Sequence, residues 1–462
     1  MGAKPALAPS TVVSIRTAIP APAWWTSASI LAIDVIALSC LYWLAVVGRH
    51  LITPGNFRFY LELFPGVALF ILAFSIQGLY PGVLLHPAEE IRRIFHCVSI
   101  VLLLLLCTTF LWHNAQSYSR SVVMAIWALG TPAVLLARYA GRSLLSRSKW
   151  WGVPAVVFGS ETAAQRVVRR LNDRRLGVRV IAVVSEEFLE LPASGAHYAI
   201  VAMTRKPDFA LNKMIQERCK GCRHVLLVPD LPGLCSLGIT AREIGGEVGL
   251  EVPQRLFHIS TRILKRSLDL LLSIPTAIAL APLFALIALA IKITSQGPVF
   301  YGHKRQGRDG AIFNALKFRT MLWNGDAILL EHFRKYPDEL AAWQRDLKLR
   351  NDPRVTRVGR WLRRYSLDEL PQLFNVLLGD MSLVGPRPII SAEIPKYGTG
   401  YDLYTRVRPG ITGLWQVSGR NNRTYDERVS LDEYYVRNWS IWLDAYILVR
   451  TVGAVLGAEG AY

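Results

Sequence analysis

Apolar positions in this chain fall into a few long runs before residue 150 and into short, punctuated runs after it. Trp24 to Val47, Phe59 to Leu79 and Ile94 to Trp112 are each long enough for a bilayer-spanning helix, which needs about 20 apolar residues. Ser121 to Leu136 is shorter and continues through Arg138 and Arg142 if those side chains snorkel to the headgroups. Asp34 lies inside the first run, where a carboxylate requires a partner on another helix. Trp24, Trp25, Trp43, Tyr60, Tyr80 and Trp112 lie near run ends, the usual place of interfacial aromatics. Basic residues gather at Arg92 and Arg93 and again at Arg138, Arg142, Arg147 and Lys149, whereas the opposite loops carry Arg49, Arg58 and Arg120. The pattern predicts a flexible tail over 1–22, then four transmembrane helices over 23–145 with both ends on the cytoplasmic side.

From Val153 the period changes. Val153 to Gly159, Val178 to Val184, His197 to Met203 and His224 to Pro229 are short apolar runs of strand length. Helical spacing over Thr162 to Leu171 and Leu211 to Cys219 separates them, which predicts a Rossmann-like cytoplasmic domain with a parallel sheet over 150–250. A dinucleotide fingerprint requires three glycines, but after Gly159 come Ser160, Glu161 and Thr162. A structural or docking role is the stronger expectation for this domain. Cys219 and Cys222, with His224 and Cys235 nearby, have the spacing of half a zinc site, and no second such pair follows.

The run Leu268 to Ile293 is also long enough to cross a bilayer, yet both flanks are basic. Arg262, Lys265 and Arg266 precede it, and Lys292, His303, Lys304, Arg305 and Arg308 follow. Pro275 and Pro282 interrupt it. A segment that enters, bends and leaves on the same side satisfies all three features. A fifth spanning helix is the alternative.

Composition narrows the class. Lys and Arg number 53 against 34 Asp and Glu, a net charge of +19, beside 52% hydrophobic residues. That combination points to a membrane protein facing anionic headgroups or phosphorylated substrates. Nucleic acid is excluded as the reason for the charge, because no basic zipper, zinc finger or single-strand-binding signature is present.

Candidate chemistry gathers after residue 300. Arginines interleave with Gly and Pro at Gly385-Pro386-Arg387-Pro388 and at Arg408-Pro409-Gly410, where rigid turns fix the direction of a guanidinium. Asp368 and Glu369 lie between Arg363-Arg364 and the first of these stretches. Ser366-x-x-Glu369, read alone, is a capping box opening a helix through Phe374. The late stretch Arg437 to Trp442 with Tyr446 reads either as an amphipathic helix at the interface or as a core helix.

Four motifs carry a resemblance: Lys317-Phe318-Arg319-Thr320-Met321, Ser366-Leu367-Asp368-Glu369-Leu370-Pro371, Gly379-Asp380-Met381-Ser382-Leu383-Val384-Gly385-Pro386-Arg387-Pro388, and Arg408-Pro409-Gly410-Ile411-Thr412-Gly413. In this order the chain from Arg262 onward resembles the bacterial sugar transferase family, the polyprenyl-phosphate sugar-1-phosphate transferases. The expected architecture is a membrane protein of mixed α and α/β class. Its parts are the four-helix transmembrane region, the Rossmann-like domain and a mainly helical monotopic catalytic domain over 255–462 with a re-entrant helix over 268–293. The resemblance implies a bacterial inner-membrane enzyme with a cytoplasmic catalytic face. It would take a UDP-hexose, galactose before glucose, and undecaprenyl phosphate as acceptor. Asp368 falls on the family's nucleophile and Glu369 on its partner acid, with both as candidate Mg²⁺ ligands. Lys317, Arg319, Arg363, Arg387, Arg408 and Arg420 are the candidate substrate-binding residues. The family usually has Ser-Pro at the helix break, whereas here it is Ala281-Pro282. A homodimer through the N-terminal domains is compatible with this reading. Two rivals are a membrane-anchored nucleotide-sugar dehydratase and a non-catalytic polysaccharide-assembly scaffold. The dehydratase needs an intact glycine fingerprint and a Tyr-x-x-x-Lys pair, and the middle domain has neither.

Overall fold

The computed structural model describes residues 22–52, 64–111, 120–184, 196–202, 224–229, 240–244, 247–251, 258–336, 352–419 and 423–456, with isolated residues between them. The chain divides into two compact units, Met1–Pro232 and Gly233–Tyr462.

The first unit begins with α1 (Ala23–Ile52), α2 (Val67–Ile76), α3 (Pro87–Leu111) and α4 (Arg120–Leu145). Leu38, Phe70, Phe74, Ile94, Val98, Val101 and Val134 form their shared core. Ile36, Leu44, Ile100, Leu103, Leu104 and Leu136 point outward, so the helices are apolar on every side, as lipid contact requires. α1, α3 and α4 are long and apolar enough to cross a membrane, and the fourth helix of that kind is Ile259–Thr294 in the second unit. The expected second span is shorter than the sequence suggested. α2 has 10 residues, and 53–63 lie outside the described residues.

Asp34 finds the partner its position demands. Arg138 donates to it through Nε at 2.8 Å and Nη2 at 2.6 Å, and the Tyr80 hydroxyl adds a third bond at 2.8 Å. Glu90 accepts from Arg138 Nη1 at 2.7 Å and from Arg142 Nη1 and Nη2 at 2.8 Å each. The expectation that Arg138 snorkels is corrected, since it is 1% exposed. A carboxylate on each of two neighbouring helices holds it inside.

The predicted α/β pattern follows. Strands β1 (Val153–Gly159), β2 (Val178–Val184), β3 (Tyr198–Ala202) and β4 (His224–Val228) form a parallel sheet in the order β2-β1-β3-β4. Helix α5 (Glu161–Leu171) connects β1 to β2. Gly159 has φ +146°, and a Cβ there would press on the Ala202 carbonyl of the adjacent strand. Strand packing therefore accounts for this glycine without a phosphate. Cys222 packs beside the sheet core of Val156, Phe158 and Ala199. The expected helix over Leu211 to Cys219 lies outside the described residues, and so does Cys235.

The second unit opens with an antiparallel pair, β5 (Thr240–Ile244) and β6 (Glu247–Glu251), and then α6 (Ile259–Thr294). Helix α6 is continuous over 36 residues with Pro275 and Pro282 inside it. The catalytic-region elements follow: β7 (Phe300–Gln306), β8 (Ile312–Phe318), α7 (Gly325–Lys335), α8 (Arg357–Arg364), α9 (Gln372–Leu378), β9 (Ser382–Val384), α10 (Gly400–Thr405), β10 (Gly410–Thr412), α11 (Tyr425–Asn438) and α12 (Ile441–Leu456).

Both arms of α6 reach the same body. On the first arm, Arg266 donates to the Val376 and Leu377 carbonyls at 2.5 and 2.9 Å, and Asp269 accepts from the Ser382 hydroxyl at 2.8 Å. On the second, Phe284 stacks at 5.5 Å from Phe374, and Ile287 and Ile291 pack with Phe318 and Leu362. A straight helix would separate Arg266 from Phe284 by about 27 Å. Both residues nonetheless contact the short helix α9. Between the arms, Leu271, Leu272, Ile274 and Ile278 are exposed. At the other end of the unit, Trp439, Leu443 and Ile447 are buried, so the start of the late segment is core.

Candidate active site

Two elements bring the acidic pair its basic neighbours. The first is the antiparallel hairpin β7/β8, which pairs Tyr301 with Lys317 and Arg305 with Phe313. Side chains alternate along a strand, so Arg305 and Lys317 share one face. The Asn375 side chain of α9 ties that hairpin down. It accepts from the Leu316 amide and donates to the Asn314 carbonyl, each at 2.9 Å. The second element is α8, capped by the Thr356 hydroxyl on the Gly359 amide at 2.9 Å. Gly359 passes so close to the Thr320 carbonyl that a Cβ would collide with it.

Ser366 does not cap the following helix. Its φ of 54° and ψ of 22° are left-handed, its hydroxyl makes no capping bond, and its amide bonds the Arg363 carbonyl at 3.2 Å. An N-cap requires extended backbone, whereas a left-handed residue ends the helix before it. The capping-box expectation is thus corrected. Ser366 terminates α8, Leu367–Glu369 form a 3-10 turn, and α9 starts only at Gln372. This turn releases Glu369 from Ser366 and points it elsewhere.

The Lys317 ammonium sits 2.7 Å from Glu369 Oε1 and 3.7 Å from Asp368 Oδ2. Asp368 is 9% exposed. The Glu369 side chain retains 29% of its exposure. The two acids are driven in opposite directions. Burial raises the Asp368 carboxyl above the usual carboxylate range, with the Glu369 charge adding to it and Lys317 and Arg363 pulling back. Burial also pushes on Glu369, but Lys317, then Arg387 and Arg305, outweigh it and hold its carboxyl below the usual range. Neighbouring carboxylates with divergent proton affinities are characteristic of sites that divide two chemical roles.

The remaining candidates separate into groups. Arg363 donates to the Thr320 hydroxyl at 2.9 Å, and its charge reaches Asp368. The Arg387 guanidinium lies 5.4 Å from the Trp415 ring centre, and its charge reaches Glu369. Arg319 turns instead to the end of α6, bonding the Ser295 carbonyl at 2.9 Å and hydroxyl at 2.8 Å. Arg408 keeps company with Arg266, Arg308, Asp269 and Asp380. Arg420 lies outside the described residues. Lys317, Arg305, Arg363 and Arg387 therefore surround two carboxylates with surplus positive charge, which suits a polyphosphate. Among the described residues no cluster of three His, Cys, Asp or Glu side chains is placed to hold a metal.

A family model described as bacterial sugar transferase matches residues 260–458, and one described as CoA-binding domain matches 75–206. The UDP-galactose-lipid carrier transferase of Erwinia amylovora is 36% identical over 396 residues, covering 81% of this chain and 82% of that protein. The chain belongs to the bacterial sugar transferase family. The undecaprenyl-phosphate galactose phosphotransferase of Salmonella typhimurium is 37% identical over 401 residues, 81% of this chain and 82% of its own. The UDP-glucose:undecaprenyl-phosphate glucose-1-phosphate transferase of Escherichia coli K12 is 35% identical over 279 residues, 58% of this chain and 57% of its own.

In this sugar transferase, sequence reasoning missed Arg305 and Trp415. Arg305 stood in a quoted basic stretch, and the strand alternation of Phe300 to Gln306 against Lys317 is the signal that would have placed it. Trp415 carried no signal, because its role depends on a guanidinium 28 positions earlier in the chain.

Proposed function

We propose that this sugar transferase moves a hexose 1-phosphate, galactose 1-phosphate in the first instance, from a UDP-hexose to undecaprenyl phosphate and releases UMP. The Asp368 carboxylate attacks the phosphorus that carries the sugar. The bond from that phosphorus to the UMP oxygen breaks, and an aspartyl phosphosugar remains. An oxygen of undecaprenyl phosphate then attacks the same phosphorus, forms the lipid diphosphosugar and returns Asp368 as a carboxylate. Two displacements at one site spare the enzyme from aligning two bulky anions in a single step. Lys317, Arg363, Arg387 and Arg305 bind phosphate oxygens, and the work is mostly positioning and electrostatics.

The observation that carries this reading is the Lys317 ammonium bridging two carboxylates whose proton affinities diverge, inside a ring of arginines. Asp368 and Glu369 are a fitting donor set for Mg²⁺, which typically takes one or two carboxylates and completes its shell with substrate phosphates and water. When bound, the ion would neutralise diphosphate charge. Glu369 is the better ligand, because its carboxyl stays ionised. Helix α6 enters the inner membrane, bends at its prolines and returns, leaving the acidic pair on the cytoplasmic face. Its two docked arms and exposed apolar middle support that placement.

Galactose is favoured because two relatives that each match 81% of this chain carry galactose in their names. Purified protein with undecaprenyl phosphate should release UMP from UDP-galactose at least about tenfold faster than from UDP-glucose, a margin of about 1.4 kcal/mol. The reverse order would assign glucose. No UMP from either sugar would remove the reaction.

A further inference from the structure

Arg387 lies beside a cluster built around Arg428 and Asp432 of α11 that none of the four family motifs includes. The guanidinium of Arg387 lies 5.4 Å from the Trp415 ring centre, and that of Arg428 lies 5.0 Å from the same ring. Arg428 is also 5.0 Å from the Tyr425 ring and 6.0 Å from Tyr397, and it bonds Glu393 at 3.2 Å. Its Nε and Nη2 have no hydrogen-bond partner among the described residues, so aromatic faces supply most of its surroundings. Behind this cage lies Asp432, 3% exposed. It accepts the Tyr397 hydroxyl at 2.7 Å, and its negative charge attracts Arg387. Asp432 therefore adds an electrostatic hold on Arg387 while Trp415 carries the side chain.

We infer that Asp432 and Trp415, backed by Arg428, are positioning residues that hold the Arg387 guanidinium toward the Glu369 side of the acidic pair. The inference rests on the reading of Arg387 as a phosphate-binding group. Gly385-Pro386-Arg387-Pro388 has no regular secondary structure to orient it, since β9 ends at Val384. A guanidinium misplaced by about 1 Å costs on the order of a hundredfold in rate when it must meet a transition state. A buried carboxylate that attracts Arg387 and a ring under its guanidinium restrict that freedom. The Arg428–Glu393 pair then fixes the ring from the far side of the cluster.

A double-mutant cycle tests this in the full chain, with UMP release from a UDP-hexose as readout. The assay is run above about pH 8, because burial pushes the Asp432 carboxyl up to about 7. Asp432→Asn keeps the shape and should lower kcat/KM about tenfold, with the loss in kcat rather than KM. In an Arg387→Ala background the same change should cost less than about twofold, since nothing remains to be positioned. Trp415→Leu should behave likewise, and Trp415→Phe, which restores a ring, should recover most of the loss. Trp415→Leu and Trp415→Phe also keep the test decisive if Asp432→Asn lowers the yield of folded protein. Equal losses in both backgrounds would overturn the positioning role and leave the reading of Arg387 standing. Full activity of Arg387→Ala would overturn both.

Discussion

Two clusters of buried charge in this chain are built on different plans. Among the N-terminal helices, Asp34 and Glu90 face Arg138 and Arg142, and the carboxylates and guanidiniums match in number and in hydrogen bonds. Around Asp368 and Glu369, one ammonium serves both acids at unequal distances, and Arg363, Arg387 and Arg305 act on them through charge alone. A matched network has nothing left to bind, and its value is structural, because breaking it leaves charge without a partner in an apolar medium. On the proposed reading, the unmatched site is the one that a polyanionic ligand completes. The same residue types therefore mean helix packing in one place and chemistry in the other.

Changes at each site should separate these plans. Arg138→Leu strands the Asp34 carboxylate without a cation and leaves Glu90 with Arg142 alone, and the expected loss is about 3–5 kcal/mol, read as a large drop in melting temperature in detergent. An unchanged melt would remove the structural reading of that cluster. Lys317→Met at the other site should leave the melt nearly unchanged and alter the pH profile. Lys317 opposes the burial that raises Asp368. Without it the carboxyl rises further, so the acid limb of kcat/KM should move to higher pH, since only ionised Asp368 attacks. A limb that stayed or moved lower would contradict the assignment. The smallest change is at the turn that aims the pair. Ser366 holds a left-handed conformation that costs a non-glycine residue about 1 kcal/mol, and Ser366→Gly should return about that much in a denaturation midpoint. A loss of stability there would mean that the hydroxyl supports the turn.

Those same positions mark what could be read from the chain alone. The parallel sheet was legible because short β-branched runs bounded by glycine have a strand's length and nothing else's. Val153 to Gly159 and Val178 to Val184 fall where their pattern placed them. Asp34 announced its need for a partner, but Arg138 is 104 positions away, and an arginine near the end of an apolar run looks the same whether it snorkels or pairs. Ser366-x-x-Glu369 matched a helix start because the motif records residue types and not backbone angles. The left-handed φ at Ser366 comes from the termination of α8, and Glu369 is free to meet Lys317 as a result. Arg319 and Arg408 were grouped with the pair by motif, whereas tertiary packing sends them to Ser295 and to Arg266.

The claim that the unmatched pair performs covalent chemistry has a direct test. The purified enzyme is given a UDP-hexose labelled in the sugar-bearing phosphate, with no lipid acceptor, and is then denatured. Expected is a stoichiometric label on the protein, released by hydroxylamine as an acyl phosphate would be, with an equal amount of UMP. Asp368→Asn should take up no label while melting like the unmodified chain. UMP release that required undecaprenyl phosphate, with no label on the protein at any time, would contradict the covalent role of Asp368 and leave direct transfer between the two substrates.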